Sequence, residues 1–172
     1  QDYFSILLGD GNGSFEDNGS YAVGVSPKAL AVADFNGDSN QDVAIVDSVS
    51  DSVSILLGDG DGGFGDITDF FLEDSPHAIA VADFNGDANK DIATGNITDI
   101  GGGDSISILL GDGTGAFGSP TDFALGGEDP LSISVEDFNG DGHQDIATAN
   151  LSDHSVSILL GAGDGNFSEN SR

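Results

Sequence analysis

The sequence predicts an all-β protein, built of four-stranded antiparallel blades stacked as a β-propeller or a propeller-like solenoid, with about three and a half repeats in the chain. Three observations predict it. Two motifs recur with one shared period, the segments between turn signals have strand length, and the inner strands of each repeat are apolar on both faces.

The first motif reads DFNGDSNQD from Asp34, DFNGDANKD from Asp83 and DFNGDGHQD from Asp137, at spacings of 49 and 54 residues. The second reads SILLGDGNGSF from Ser5, SILLGDGDGGF from Ser54, SILLGDGTGAF from Ser107 and SILLGAGDGNF from Ser157, at spacings of 49, 53 and 50. Two motifs keeping one period define a repeat.

The chain opens with a third-strand motif at Phe4 to Leu8 and a fourth strand near Tyr21 to Val25, which makes residues 1–26 a partial blade. Repeat 1, residues 27–75, carries ALAVA (Ala29 to Ala33), DVAIV (Asp42 to Val46), SVSILL (Ser52 to Leu57) and TDFFL (Thr68 to Leu72). None is long enough for a helix. In the second of these strands Val43 and Ile45 point one way while Ala44 and Val46 point the other, and a strand apolar on both faces is covered on both faces. Sheet stacked on sheet provides that cover. Repeat 2 spans 76–128. Repeat 3, residues 129–167, is expected to supply three strands and stop near Phe167, leaving the polar residues 168–172 as a tail. Incomplete terminal blades are expected to join other copies, as a closed ring of about seven blades from two chains or as a filament.

Charge narrows the function classes. Against 31 acidic residues stand 3 basic ones, a net charge of −28, which excludes nucleic acid as a partner. Of those acids 26 are Asp and 5 are Glu, and Asp favours turns and caps over helix surfaces, so the charge belongs in loops. There is no cysteine, hence neither disulfides nor thiolate metal sites. No apolar run approaches the roughly 18 residues of a membrane span. The N-terminus shows no basic-then-apolar signal pattern.

The Asp-rich loops read as cation sites. In the first, side-chain oxygens fall at Asp34, Asn36, Asp38 and Asp42, positions one, three, five and nine, and Asn40 at position seven would offer its carbonyl. The set recurs as Asp83, Asn85, Asp87, Asn89 and Asp91, and as Asp137, Asn139, Asp141, His143 and Asp145. Alternate inward oxygens suit Ca²⁺, about three ions per chain, whereas Mg²⁺ retains its waters. The loops are not EF-hands, because position twelve is Ile45, Thr94 or Thr148 instead of Glu. Two carboxylates about 5 Å apart repel by roughly 3 kcal/mol at an effective dielectric of 20, and a divalent ion reverses that sign. The bland alternative is a solvated Asp/Asn/Gly turn. The companion G-D-G segments, with Asp10, Asp59, Asp61, Asp112 and Asp164, vary in oxygen count and read better as glycine turns, with Phe15, Phe64, Phe117 and Phe167 packing beneath.

The run D-F-N-G-D-G-x-x-D before an apolar strand, with a downstream G-x-G-x-F, resembles the FG-GAP and VCBS repeats of integrin alpha-subunit propellers and many secreted bacterial proteins. The resemblance covers nearly the whole chain and implies that the Asp loop is a calcium-binding hairpin connection, carried by the residues just named. The sixth position departs from the pattern: it is Ser39 and Ala88 before it is Gly142. If it requires a positive φ, the first two loops are strained.

Sequons for N-glycosylation stand at Asn12, Asn18, Asn96, Asn150 and Asn166, with Asn96 and Asn150 at equivalent places where the strand is expected to reach the surface. The glycines of GDGTG do not make a phosphate cradle, since no Lys follows and the surrounding charge repels anions. His77, His143 and His154 share no zinc spacing. Glu136 is the one acid out of repeat, and with Lys28, Lys90 and Arg172 as the only bases, catalysis is not expected. The sequence therefore predicts a secreted, calcium-binding structural or adhesive repeat protein, self-associating through terminal strands and located outside the cell or on its surface. A carbohydrate- or protein-binding module, or a fragment of a larger secreted enzyme or receptor, is the alternative.

Overall fold

Short apolar runs cut by Gly, Asn and Asp turns can satisfy their backbone groups only by pairing with the next run along the chain. The computed structural model describes residues 2–98 and 103–169, and its named elements are all β-strands. No helix among the described residues is long and apolar enough to cross a membrane.

A hairpin of β1 (Asp2–Gly9) and β2 (Phe15–Val23) comes first. Repeat 1 forms a sheet of β3 (Pro27–Ala33), β4 (Asp42–Asp47), β5 (Ser52–Leu56) and β6 (Thr68–Phe71). Repeat 2 follows as β7 (Ser75–Ala82), β8 (Asp91–Ile97), β9 (Ser105–Leu109) and β10 (Thr121–Ala124). Repeat 3 is β11 (Pro130–Glu136), β12 (Asp145–Asn150), β13 (Ser155–Gly161) and β14 (Phe167–Glu169). Each sheet is antiparallel, with strands in chain order. The pairing slips by one residue between Pro27 and Ala29, between Pro76 and Ala78, and between Pro130 and Ser132. A proline at the strand start withholds no interior ladder bond, and the bulge beside it sharpens the local twist in every repeat.

The core lies between sheets. Phe35, Ala44, Val46, Val53 and Ile55 of repeat 1 meet Ile92 and Leu109 of repeat 2, and Phe84, Ala93, Ile106 and Ile108 of repeat 2 meet Ile146 and Leu159 of repeat 3. Burying each of the large side chains contributes about 1.5–3 kcal/mol. Val23 of the hairpin closes a third cluster with Val43, Ile45 and Leu56. Each sheet thus has a forward face toward the next repeat and a backward face toward the previous one.

One aromatic joint recurs. Phe117 stands edge-on to Phe35 and Phe70 of the preceding repeat, with centroids 5.6 and 5.3 Å away, and Phe167 stands likewise to Phe84 and Phe123 at 5.5 and 5.4 Å. Phe64 meets Tyr21 and Phe4 at 5.4 and 5.8 Å. Beside two of these joints a backbone bond crosses between sheets: the Gly115 and Gly165 N–H groups donate to the Phe35 and Phe84 carbonyls, each at 3.0 Å.

Two expectations are corrected. Repeat 3 does not stop after three strands, because Phe167 is anchored against Phe84 and Phe123 and holds Ser168 and Glu169 beside β13. Residues 170–172 of the expected tail lie outside the described residues. The second strand of the hairpin starts at Phe15, well before Tyr21, since β1 extends to Gly9 and pairs there with Phe15. Phe15 itself lies against Gly9 of its own hairpin and is mostly exposed.

Candidate metal centre

The Asp loops join β3 to β4, β7 to β8 and β11 to β12, so each sits at the same end of its sheet. In the first, Asp34 Oδ1 accepts the Gly37 and Asp38 N–H groups at 2.7 and 3.2 Å and Oδ2 accepts that of Ser39 at 2.8 Å. Asn36 Oδ1 accepts the Asp38 N–H at 3.0 Å, and its Nδ2 donates to Asp38 Oδ2 at 3.0 Å. Asp38 Oδ1 accepts the Asn40 N–H at 2.7 Å. The second and third loops repeat the set through Asp83, Asn85 and Asp87 and through Asp137, Asn139 and Asp141.

These bonds set the charge state. The Asn40 and Asn89 N–H groups, seconded by the Asn36 and Asn85 amides, hold the Asp38 and Asp87 carboxyls below the usual carboxylate range. The Gly142 N–H does the same for Asp137. The sixth position requires a positive φ in all three copies, 71° at Ser39, 71° at Ala88 and 90° at Gly142, so two L-residues occupy a conformation suited to glycine.

The ninth position differs. Asp42 is fully buried; its Oδ2 accepts the Phe35 N–H of its own loop at 2.8 Å and its Oδ1 accepts the Gly58 N–H at the end of the β5 segment at 2.8 Å. Asp91 binds the N–H groups of Phe84 and Gly111, and Asp145 those of Phe138 and Gly161, at 2.8–2.9 Å. Each is a clamp tying the loop to the neighbouring hairpin. Burial pushes the Asp91 carboxyl up, the N–H donors from Gly111 and Phe84 oppose that, and the Asp87 and Asp83 charges add to it. The sequence pattern placed these three residues in the loop but not beneath it.

Among the described residues no group of three His, Cys, Asp or Glu side chains is placed to hold a metal ion. The donor chemistry nonetheless fits a hard cation, being carboxylate, amide and backbone oxygen. An ionised carboxylate offers about four lone-pair sites, of which N–H donors take three at Asp34 and two each at Asp38 and Asp42. At the seventh position Asn40, Asn89 and His143 lean over Gly60, Gly113 and Gly163 of the G-D-G turns. Those turns are closed by their own aspartates: Asp10 accepts from Asn12 and Ser14, Asp59 from Asp61 and Gly63, Asp112 from Thr114 and Asp164 from Asn166.

The sequons divide. Asn12 and Asn166 are exposed, and Asn18 is half-buried with its Nδ2 donating to the Gly62 carbonyl at 2.8 Å. Asn96 and Asn150 do not reach the surface, contrary to the expectation; their amides donate to Ser105 and Ser107 and to Ser155 and Ser157 inside the sheets. Glycan transfer to the folded chain is therefore excluded at these two.

The family model for the FG-GAP-like repeat matches residues 34–94, 97–148 and 137–172. The chain belongs to the FG-GAP-like repeat family. No curated protein matches it.

Proposed function

We propose that this chain is a calcium-stabilised extracellular repeat module with a structural or adhesive role, its sheets stacked as blades of a propeller-like array. The observation that carries the reading is the threefold recurrence of one hydrogen-bonded oxygen loop in a chain of net charge −28. Asp34, Asn36, Asp38 and Asp42, with their counterparts in the other loops, would hold the ion, together with the carbonyl of the seventh residue. The ion supplies positive charge that the loops lack. Three of them would lower the net charge from −28 to about −22.

The protein's part is to present the oxygens. Asp34 curls the loop by accepting three N–H groups, Asn36 orients Asp38, and Asp42 fixes the loop against the neighbouring hairpin. Extracellular modules bind calcium at about 10⁻⁴ to 10⁻³ M, which suits the exterior of a cell. The scarcity of bases and the structural use of the buried aspartates favour a non-catalytic role.

The test is thermal unfolding in millimolar calcium and in chelator, beside the triple variant Asp38→Asn, Asp87→Asn, Asp141→Asn. Calcium should raise Tm of the parent chain in a concentration-dependent way and leave the variant nearly unmoved. An identical Tm with and without calcium defeats the reading.

A further inference from the structure

In each Asp loop an asparagine stands directly before a glycine: Asn36 before Gly37, Asn85 before Gly86 and Asn139 before Gly140. The fold demands both residues. The glycines hold φ of 75°, 77° and 80°, where an L side chain is strained, and the asparagines give the aspartate two positions on both an acceptor and a donor. Together they form a dipeptide open to deamidation, because glycine has no side chain to shield its nitrogen. In that reaction the Gly37 nitrogen bonds to Asn36 Cγ, the Cγ–Nδ2 bond breaks, and Nδ2 leaves as ammonia with the proton that Gly37 gives up. Water then opens the succinimide at either carbonyl, leaving an aspartyl or isoaspartyl residue.

The loop bonds occupy both partners of this reaction. The Gly37, Gly86 and Gly140 N–H groups donate to Oδ1 of Asp34, Asp83 and Asp137, each at 2.7 Å. The asparagine amides are pinned at both ends. Their Oδ1 atoms accept the N–H groups of Asp38, Asp87 and Asp141 at 2.8–3.0 Å, and their Nδ2 atoms donate to Oδ2 of the same three residues at 2.8–3.0 Å. Ring closure requires the glycine N–H to leave its carboxylate and the amide to turn away from the aspartate. Burial has no part in this, since the three glycines and Asn139 are exposed.

We propose that the loop aspartates protect Asn36, Asn85 and Asn139 from deamidation, and that a loop left open converts its asparagine and then resists closing again. In the aspartyl product a carboxylate oxygen takes the place of Asn36 Nδ2, which lies 3.0 Å from Asp38 Oδ2. A hydrogen bond thereby becomes a repulsion between like charges. Each conversion also adds a negative charge to a chain already at −28. The inference goes beyond the calcium reading, because the protecting bonds lie within the loops themselves and need no cation.

The test runs wholly in chelator, so its outcome is independent of any calcium effect on Tm. The chain is held in mildly alkaline buffer, folded or in urea, and peptide mapping by mass spectrometry follows each asparagine. Folded, all three should convert about tenfold or more slowly than in urea, since breaking one charge-assisted N–H bond already costs that much in rate. Asp34→Ala should speed Asn36 alone, and Asp83→Ala should speed Asn85 alone. The two untouched loops of the same molecule report that each variant remains folded. Asn36→Asp, which makes the aspartyl product directly, should unfold at a lower urea concentration than the parent. Equal rates folded and in urea overturn the proposal, as do an Asp34→Ala chain in which Asn36 stays slow or all three asparagines speed up alike, and an Asn36→Asp chain that unfolds at the parent's midpoint.

Discussion

The Ser54 hydroxyl lies 2.6 Å from Oδ2 of the fully buried Asp47. The same hydroxyl is 2.8 Å from Asp69 Oδ1, and it has a single proton to give. In repeat 2 the place of Asp47 is taken by Asn96, whose Nδ2 donates to Ser107 at 2.6 Å and whose Oδ1 accepts from Thr94 at 2.8 Å. Repeat 3 has the same pattern in Thr148, Asn150 and Ser157. Repeat 1 keeps the serine but has Ile45 in place of the threonine, and Asp47 Oδ1 is accordingly buried without a hydrogen-bond partner. Asp47 therefore leaves one oxygen buried and unpaired where the asparagines of the other repeats are satisfied.

Stability should therefore depend on Asp47 and pH. Burial, foremost, raises its carboxyl above the usual range; the Ser54 hydroxyl and Gly24 N–H oppose this, and the Asp69 and Asp2 charges add to it. The folded state then holds a proton that the unfolded chain releases above about pH 4. The stabilisation is complete below that pH and is lost as pH rises to the raised value, by as much as tenfold in the unfolding equilibrium per pH unit. Asp47→Asn cannot titrate. Urea unfolding of both chains at a series of pH values in chelator should show the variant's advantage growing from about pH 4 and then levelling; a constant gap refutes it.

Asp91 makes a different prediction, because its two oxygens hold two backbone N–H groups, from Phe84 and Gly111, and the residue is fully buried. Each orphaned N–H costs about 1–3 kcal/mol. Asp91→Ala should destabilise by about 3–5 kcal/mol even in chelator, whereas exposed Asp87→Ala should cost under about 1 kcal/mol there. Equal losses in urea titrations would mean that the clamp carries no weight of its own.

The repeat and its strands were legible because strand length, period and two-faced apolarity are local signals, as in β4, where Val43 to Val46 alternate sides as expected. The loop residues one, three and five were legible too, since their bonds span only two to five residues. What escaped depends on contacts far apart in the chain. Asp42 reaches Gly58, and Asn96 pairs inside the sheet with Ser105 and Ser107 instead of pointing to water. The Thr-x-Asn spacing, repeated as Thr94 and Asn96 and as Thr148 and Asn150, was the available clue: two polar residues on one face of a buried strand call for each other.

Ser39 and Ala88 should each gain stability on replacement by glycine. Both sit at φ 71°, where an L side chain costs about 1–2 kcal/mol, and glycine gives back part of that through the freedom of the unfolded chain. The net expectation is a gain of about 0.5–1 kcal/mol per site, additive in the double variant because the sites lie in different repeats. Chemical denaturation checks it. Gly142→Ala should lose a similar amount in the third loop.

Gly111 tests close approach instead of backbone conformation. A Cβ built there would lie 2.3 Å from the Lys90 carbonyl oxygen, and the equivalent positions Gly58 and Gly161 would meet Gln41 and Gln144 carbonyls at 2.2 and 2.1 Å. The approach exists because the N–H groups of these glycines must reach Asp91, Asp42 and Asp145. A methyl group forces the two backbones apart and breaks that bond, so Gly111→Ala should cost more than about 2 kcal/mol. Gly118→Ala is the control, its Cβ being 3.7 Å from the Leu110 carbonyl, and should change stability by less than about 1 kcal/mol. Amide hydrogen exchange locates the damage: Gly111→Ala should speed exchange at Phe84, whose N–H shares Asp91, while Gly118→Ala should leave it protected. Protection at Phe84 unchanged by Gly111→Ala would show that the loop and hairpin are not coupled through Asp91.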